Sequence, residues 1–226
     1  MLGTLINVGA VIAGSTVGLL IHSKLPEKIT SITFQGIGLF TVFMGLFMAL
    51  KTQEPLVMIL SIVSGSILGE LVDLTRHLEA FSEWIKQKVK SKNEKFTEGL
   101  ISAFLLFCMG SMTILGAIEE GLGSRPNLFL AKSVLDGFAS IALSTTFGIG
   151  VLFSIVPLFI YQGGLTLFAG LLQDLLSEVV VNEISAVGGL ILLGLGINIL
   201  EIKAIRILNM LPALLIAAVL SYVFLQ

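Results

Sequence analysis

The residues best placed to do chemistry lie in AKSVLDGFASIALSTTFG, where Ser133, Asp136, Ser140 and Ser144 recur at three- and four-residue steps and so share one face of a helix. Lys132 stands four residues before Asp136, the spacing of a helical ion pair. The surrounding sequence is apolar enough to lie in a bilayer. An ionisable group there is costly, faces protein or water, and is a functional candidate by default, suited to binding a cation or exchanging a proton. The competing reading is a headgroup-level pair: Asp136 is about two turns, roughly 9 to 12 Å of helix, from the expected boundary, where Lys132 can neutralise it.

Two neighbouring stretches offer partners. CMGSMTILGAIEEG carries Gly110, Ser111, Thr113 and Gly116, then Glu119 and Glu120, acids that can draw a cation to a mouth or be simply solvated. PLFIYQGGLTL carries Pro157, Tyr161, Gln162, Gly163, Gly164 and Thr166, and is expected to be a broken helix whose freed carbonyls near Gly163 can coordinate an ion. Asn7 and Asn198 are amides in apolar runs, adequately explained by hydrogen bonds between helices. No HExxH or phosphate-cradling glycine loop occurs, and His22 and His77 are far apart. Cys108 is the single cysteine, so neither a disulfide framework nor a CxxC pair exists. Enzyme chemistry, a metal site and a cofactor are not expected.

The elements that must position these residues are membrane helices. Hydrophobic residues make up 55% of the chain and charged ones 12%, about half the charged share of a soluble domain. Apolar runs long enough to span roughly 30 Å of hydrocarbon occur near 2–22, 33–50, 56–74, 99–118, 184–200 and 207–225. Residues 128–172 would reach about 65 Å as one helix, so they must turn back, and Gly148, Gly150 and Pro157 place the turn near 149.

Charge supports that division. With eight spans, one side carries Lys24, Lys28, Arg76, Lys86, Lys88, Lys90, Lys92, Lys95, Lys203 and Arg206, and the other only Lys51, Arg125 and Lys132, a ratio of ten to three. A single crossing over 128–172 would reduce the ratio to eight to five and would move the acidic stretch of Asp174, Glu178 and Glu183 inside. Short cytoplasmic loops favour Lys and Arg, so eight spans with both termini outside is the expected topology. Seven spans, or a re-entrant hairpin in place of two spans, are the alternatives. The first apolar run begins at once, without a basic leader, and is expected to be retained as a span. The net charge of −2 gives no signal for nucleic acid.

GLLIHSKLPEKITSITFQGIGLFTVFMG and GLLQDLLSEVVVNEISAVGGLILLGLG are similar in order: Gly38 to Gly45 and Gly189 to Gly196 are both seven residues. On the eight-span topology they enter the membrane from opposite sides and form an inverted repeat, a recurrent design of secondary transporters. The expected organisation is one polytopic domain over 1–226: repeat unit one at 1–75, an amphipathic helix and basic loop at 76–97, connecting spans at 98–148 and repeat unit two at 149–226. Gly14 with Gly18, Gly65 with Gly69, and Gly110 are expected at close helix contacts, within one subunit or across a homodimer. Leu78, Phe81, Ile85 and Val89 follow a helical period opposite Glu79, Glu83, Lys86 and Lys90, which predicts a helix on the inner leaflet.

KSVLDGFASIALSTTFGIGVLFSIVPLFIYQGGLTLFAG, preceded by GAIEEGL and followed by NEISAVGGLILLGLGINILEIKAIRILNMLPAL, resembles the bacterial YdfK/YqgA-like membrane proteins, the domain-of-unknown-function family numbered 554. The similarity begins at GTLINVGAVIAGSTVG and covers essentially the whole chain. It implies a bacterial inner-membrane location and a multi-span helical fold, brings no substrate with it, and puts the family's polar motif on Lys132, Ser133, Asp136, Ser140, Tyr161, Gln162 and Gly163. The expected function is transport or conduction of a small ion or solute through a polar site between spans 4, 5 and 6. Asp136 would bind the cation or proton, and Ser133, Ser140, Ser144, Tyr161, Gln162, Gly163, Glu119, Glu120 and Lys132 would assist. The alternative is a membrane scaffold or sensor that binds a partner through glycine faces or the 76–95 helix.

Overall fold

A computed structural model of the chain describes residues 1–22, 26–173 and 175–225; Lys24 and Asp174, both used in the charge reading, lie outside the described residues. The described residues contain helices and no strands. In chain order they are α1 (Leu2–His22), α2 (Glu27–Ala49), α3 (Pro55–Val72), α4 (Leu74–Lys88), α5 (Phe96–Cys108), α6 (Ser111–Gly121), α7 (Asn127–Phe147), α8 (Gly150–Phe153), α9 (Ile155–Leu167), α10 (Ala169–Leu172), α11 (Glu178–Ile199) and α12 (Pro212–Leu225), with a 3₁₀ turn at Ile207–Met210. Seven stretches among them are long and apolar enough to cross a membrane, and α5 with α6 makes an eighth if the pair, bent by 63°, is one span.

The turn expected near 149 is present. α7 stops at Phe147, Gly148 takes φ of 73° and its N–H bonds Ser144 O, and α8 starts at Gly150. Only a residue without Cβ holds that backbone cheaply, which is why the long apolar stretch breaks there. Span 4 differs from the straight helix expected over 99–118. Met109 and Gly110 interrupt it, and a Cβ at Gly110 would meet open space, so this glycine marks the bend rather than a close contact.

The chain folds as two compact units. One comprises Met1–Ile37, Ala80–Cys108 and Met112–Gly170; the other comprises Gly38–Glu79, Met109–Ser111 and Leu171–Gln226. In the first, α1 and α7 run parallel at backbone contact: Gly3 faces Pro126 and Phe129, Gly14 faces Gly137 and Ser140, and Gly18 faces Ile141 and Ser144.

In the second unit α2 and α11 run antiparallel on glycines, Gly45 against Gly189 and Gly38 against Gly196, while Gly65 and Gly69 of α3 meet the backbone of Ala213 and Asn209. Small residues permit such approach where lipid gives helices no hydrophobic reason to associate. α11 is the most enclosed of the spans.

α4 is held to the first unit by Ile85, which packs with Phe96 and Leu100, and by Ser82, whose hydroxyl donates to Thr97 Oγ1 at 3.1 Å. Its other side leaves Phe81 and Trp84 exposed and stacked, with Lys88 Nζ 5.7 Å from the Trp84 ring.

Candidate polar site in the membrane helices

Asp136 is the tenth of the 21 residues of α7, about 14 Å of rise from the helix start, and the cluster around it is drawn from α7 itself and three other helices. Lys132, one turn earlier, donates from Nζ to Asp136 Oδ2. α1 supplies Asn7, whose Nδ2 donates to Asp136 Oδ2 and to Gln162 Oε1, both at 3.0 Å. α9 supplies Gln162. α5 closes the cluster with Phe107, whose ring centroid is 5.9 Å from Lys132 Nζ, and with Phe104, which meets the Tyr161 ring edge-on.

Asn7 and Gln162 are fully buried, Lys132 is 4% exposed and Asp136 7%. In so dry a place a carboxylate and an ammonium are costly to bury apart, and here they face each other. The protein leaves part of the cluster's hydrogen-bonding capacity unused: Asn7 Oδ1 and Gln162 Nε2 have no protein partner. Each such atom, taken out of water, costs about 1–3 kcal/mol.

A second group of polar side chains continues from this cluster to one end of the bundle. Thr166 Oγ1, one turn beyond Gln162, donates to Gln162 O at 3.0 Å and lies 3.4 Å from Thr4 Oγ1. Thr4 Oγ1 donates to Glu120 Oε2 at 3.0 Å. Glu120 also accepts from the backbone N–H of Gly3 and Thr4 and pairs with the Met1 amine at 2.9 Å.

A model of the family described as "Protein of unknown function (DUF554)" matches residues 2–222. The chain belongs to this family. It is 34% identical to the uncharacterized membrane protein YdfK of Bacillus subtilis, over 99% of this chain and 96% of that one. It is also 33% identical to the uncharacterized protein YqgA of Escherichia coli, over 98% and 96%. No solved structure matches the chain.

For this family member the structure gathers Lys132, Asp136 and Gln162 into one cluster and puts Tyr161 beside it. Ser133, Ser140 and Ser144 do not join. Ser133 donates to Phe129 O and Ser140 to Gly137 O of their own helix, while Ser140 and Ser144 lie against Gly14 and Gly18 of α1. They are the small residues that let α1 and α7 touch. Glu119 accepts from Leu128 N at 3.0 Å at the start of α7, and Glu120 is buried, so neither is a freely solvated mouth acid. Gly163 and Gly164 lie inside α9, and the Gly164 carbonyl accepts from Phe168 N. The expected unwound carbonyls at Gly163 are therefore absent among the described residues; the interruptions fall at Ser154 and Phe168 instead.

Asn7, expected from the sequence only as an amide bonding between helices, makes those bonds to α7 and α9 and thereby belongs to the cluster itself. The available signal was a lone amide in an apolar helix near the glycines that seat α1 on α7. The other unit holds a further buried carboxylate, Glu183 of α11, which accepts from Thr52 Oγ1 at 2.6 Å, Gln53 N at 2.6 Å and Glu54 N at 3.2 Å at the start of α3.

Proposed function

We propose that the protein moves a small ion or solute across the bacterial cytoplasmic membrane, with Asp136 at the working site. One observation carries the reading: an ion pair with two amides at mid-helix, drawn from α1, α7 and α9, whose hydrogen-bonding capacity the protein itself does not exhaust. Helix packing alone would be served as well by apolar side chains.

The antiparallel glycine seam supports the inverted repeat. If Gly38 corresponds to Gly189 and Gly45 to Gly196, a twofold relation requires Gly38 to meet Gly196 and Gly45 to meet Gly189, and those are the observed neighbours. Helical spans rather than a barrel favour the cytoplasmic membrane, and the positive side facing the cytoplasm leaves both termini outside.

Reconstituted into liposomes, the parent should pass at least one of protons, sodium, potassium and glycine, and Asp136→Asn should not. Equal flux through both removes Asp136 from the mechanism. The second reading, a scaffold or sensor, is favoured by the exposed Phe81–Trp84 pair on α4. It predicts that the double change Phe81→Ser, Trp84→Ser abolishes function in cells and leaves flux in liposomes intact.

A further inference from the structure

We propose that the species exchanged at Asp136 is a proton, and that it enters by the polar line Glu120, Thr4, Thr166, Gln162, Asn7. This rests on the transport reading of the same site and adds to it the species and the route. The six side chains are at most 8% exposed, and side-chain contacts join Glu120 to Thr4, Thr4 to Thr166, Gln162 to Asn7 and Asn7 to Asp136, while Thr166 reaches Gln162 one turn away through its backbone carbonyl, the step a water would have to bridge.

A row of buried polar groups through apolar helices costs free energy even where hydrogen bonds offset part of it, and in membrane spans such rows mark proton and ion paths. The two threonine hydroxyls both donate and accept, so each can pass a proton along. The two amides cannot exchange protons readily. Their unpartnered atoms, Asn7 Oδ1 and Gln162 Nε2, can instead hold a water that spans the step to Asp136.

The charge balance at the end of the line fits a proton better than a metal ion. Asp136 is already neutralised by Lys132, so a bare cation would have to displace the ammonium, and no group of three His, Cys, Asp or Glu side chains suited to a metal occurs among the described residues. A proton arriving at the Asp136 carboxylate gives the neutral acid and frees Lys132; its departure restores the pair. Nothing else is consumed. The titratable groups around the pair are Lys132 on its own helix, Cys108 on α5 and Tyr161 on α9, whereas α1 presents the neutral Asn7.

The test uses the full chain in vesicles of phosphatidylethanolamine and phosphatidylglycerol. Pyranine inside reports pH, and potassium with valinomycin clamps the voltage. A pH step should be relayed by the parent, and Asp136→Asn should slow it by about a hundredfold, the lower end of what a positioned acid–base group contributes. Thr166→Val, close in shape and lacking the hydroxyl, should slow flux severalfold with unchanged thermal stability, and Thr166→Ser should restore it.

Parent-level flux in Thr166→Val would overturn the route. Passage of sodium, potassium or glycine without any proton flux would overturn the proton and leave the transport reading standing. A parent inert to all four would sink the transport reading itself.

Discussion

Glu183 in one unit and Asp136 in the other are both carboxylates removed from water, 0% and 7% exposed, and they are satisfied by different kinds of partner. Glu183 takes two backbone N–H groups and a threonine hydroxyl where α3 begins, the place where a helix leaves N–H groups without internal partners. Glu120 also accepts backbone N–H groups, at the start of α1, but it adds the Thr4 hydroxyl that touches Thr166 and so stands in both roles. Asp136 takes only side chains, Lys132 and Asn7. Backbone donors remain through every side-chain change except one to proline, so Glu183 answers a need of the fold; the partners of Asp136 are themselves side chains, and the fold does not require any of them. The contrast assigns one carboxylate to architecture and the other to work.

The largest expected effect breaks the Asp136 pair. Asp136→Asn strands a buried ammonium and should lower stability by about 3–5 kcal/mol, whereas replacing both members, Asp136→Leu with Lys132→Met, should recover most of that loss. Thermal unfolding followed with a dye that reacts with Cys108, the single and buried cysteine, measures both. Flux should be lost in the single and the double variant alike. A double variant that is stable and still conducts would erase the distinction from Glu183.

Glu183 should respond in the opposite manner. Glu183→Gln keeps one acceptor oxygen, loses the charge and should cost about 1–3 kcal/mol. Glu183→Leu should cost more, because the N–H groups of Gln53 and Glu54 then have no acceptor and remain whatever their side chains, proline apart. Flux per folded molecule should match the parent. A fall in flux at parental stability would place Glu183 in the conduction path.

A comparable loss, about 1–3 kcal/mol, is expected for Gly69→Ala, since the new methyl would overlap the backbone of Asn209 and the helices must part. Gly110→Ala, at the bend between α5 and α6 where a Cβ meets nothing, should be tolerated. Unfolding midpoints of the two variants compare them directly, and equal losses would show that Gly69 holds no close contact.

The membrane class, most spans and the break after Phe147 were legible in the sequence because apolar length and glycine position act locally. The polar cluster was legible in part. Lys132 and Asp136 share a helix, so spacing alone pairs them, and Gln162 stands out as an amide in apolar surroundings. Asn7 joins them from 129 residues away in the chain, through a parallel α1–α7 contact that no local pattern encodes. The same limit explains Glu120, whose burial depends on where the start of α1 lands, and the bend in span 4, which apolar periodicity does not record.

The smallest expected effect concerns the serines. Ser133, Asp136, Ser140 and Ser144 read as one coordinating stripe from spacing, yet the structure divides it: Ser140 donates to Gly137 O at 2.8 Å within α7 and lies against Gly14, while Asp136 reaches Asn7. Ser140→Ala removes a hydroxyl whose bond is internal to its helix and keeps the small size the α1 contact needs. Stability should therefore change by no more than about 0.5 kcal/mol, since nothing buried is left without its partner: Gly137 O retains its helical donor, and the alanine has higher helix propensity. Proton flux should stay at the parental level. If flux falls while the unfolding midpoint holds, the serine hydroxyl belongs to the working site, and the division between a packing stripe and the Asp136 cluster must be redrawn along α7.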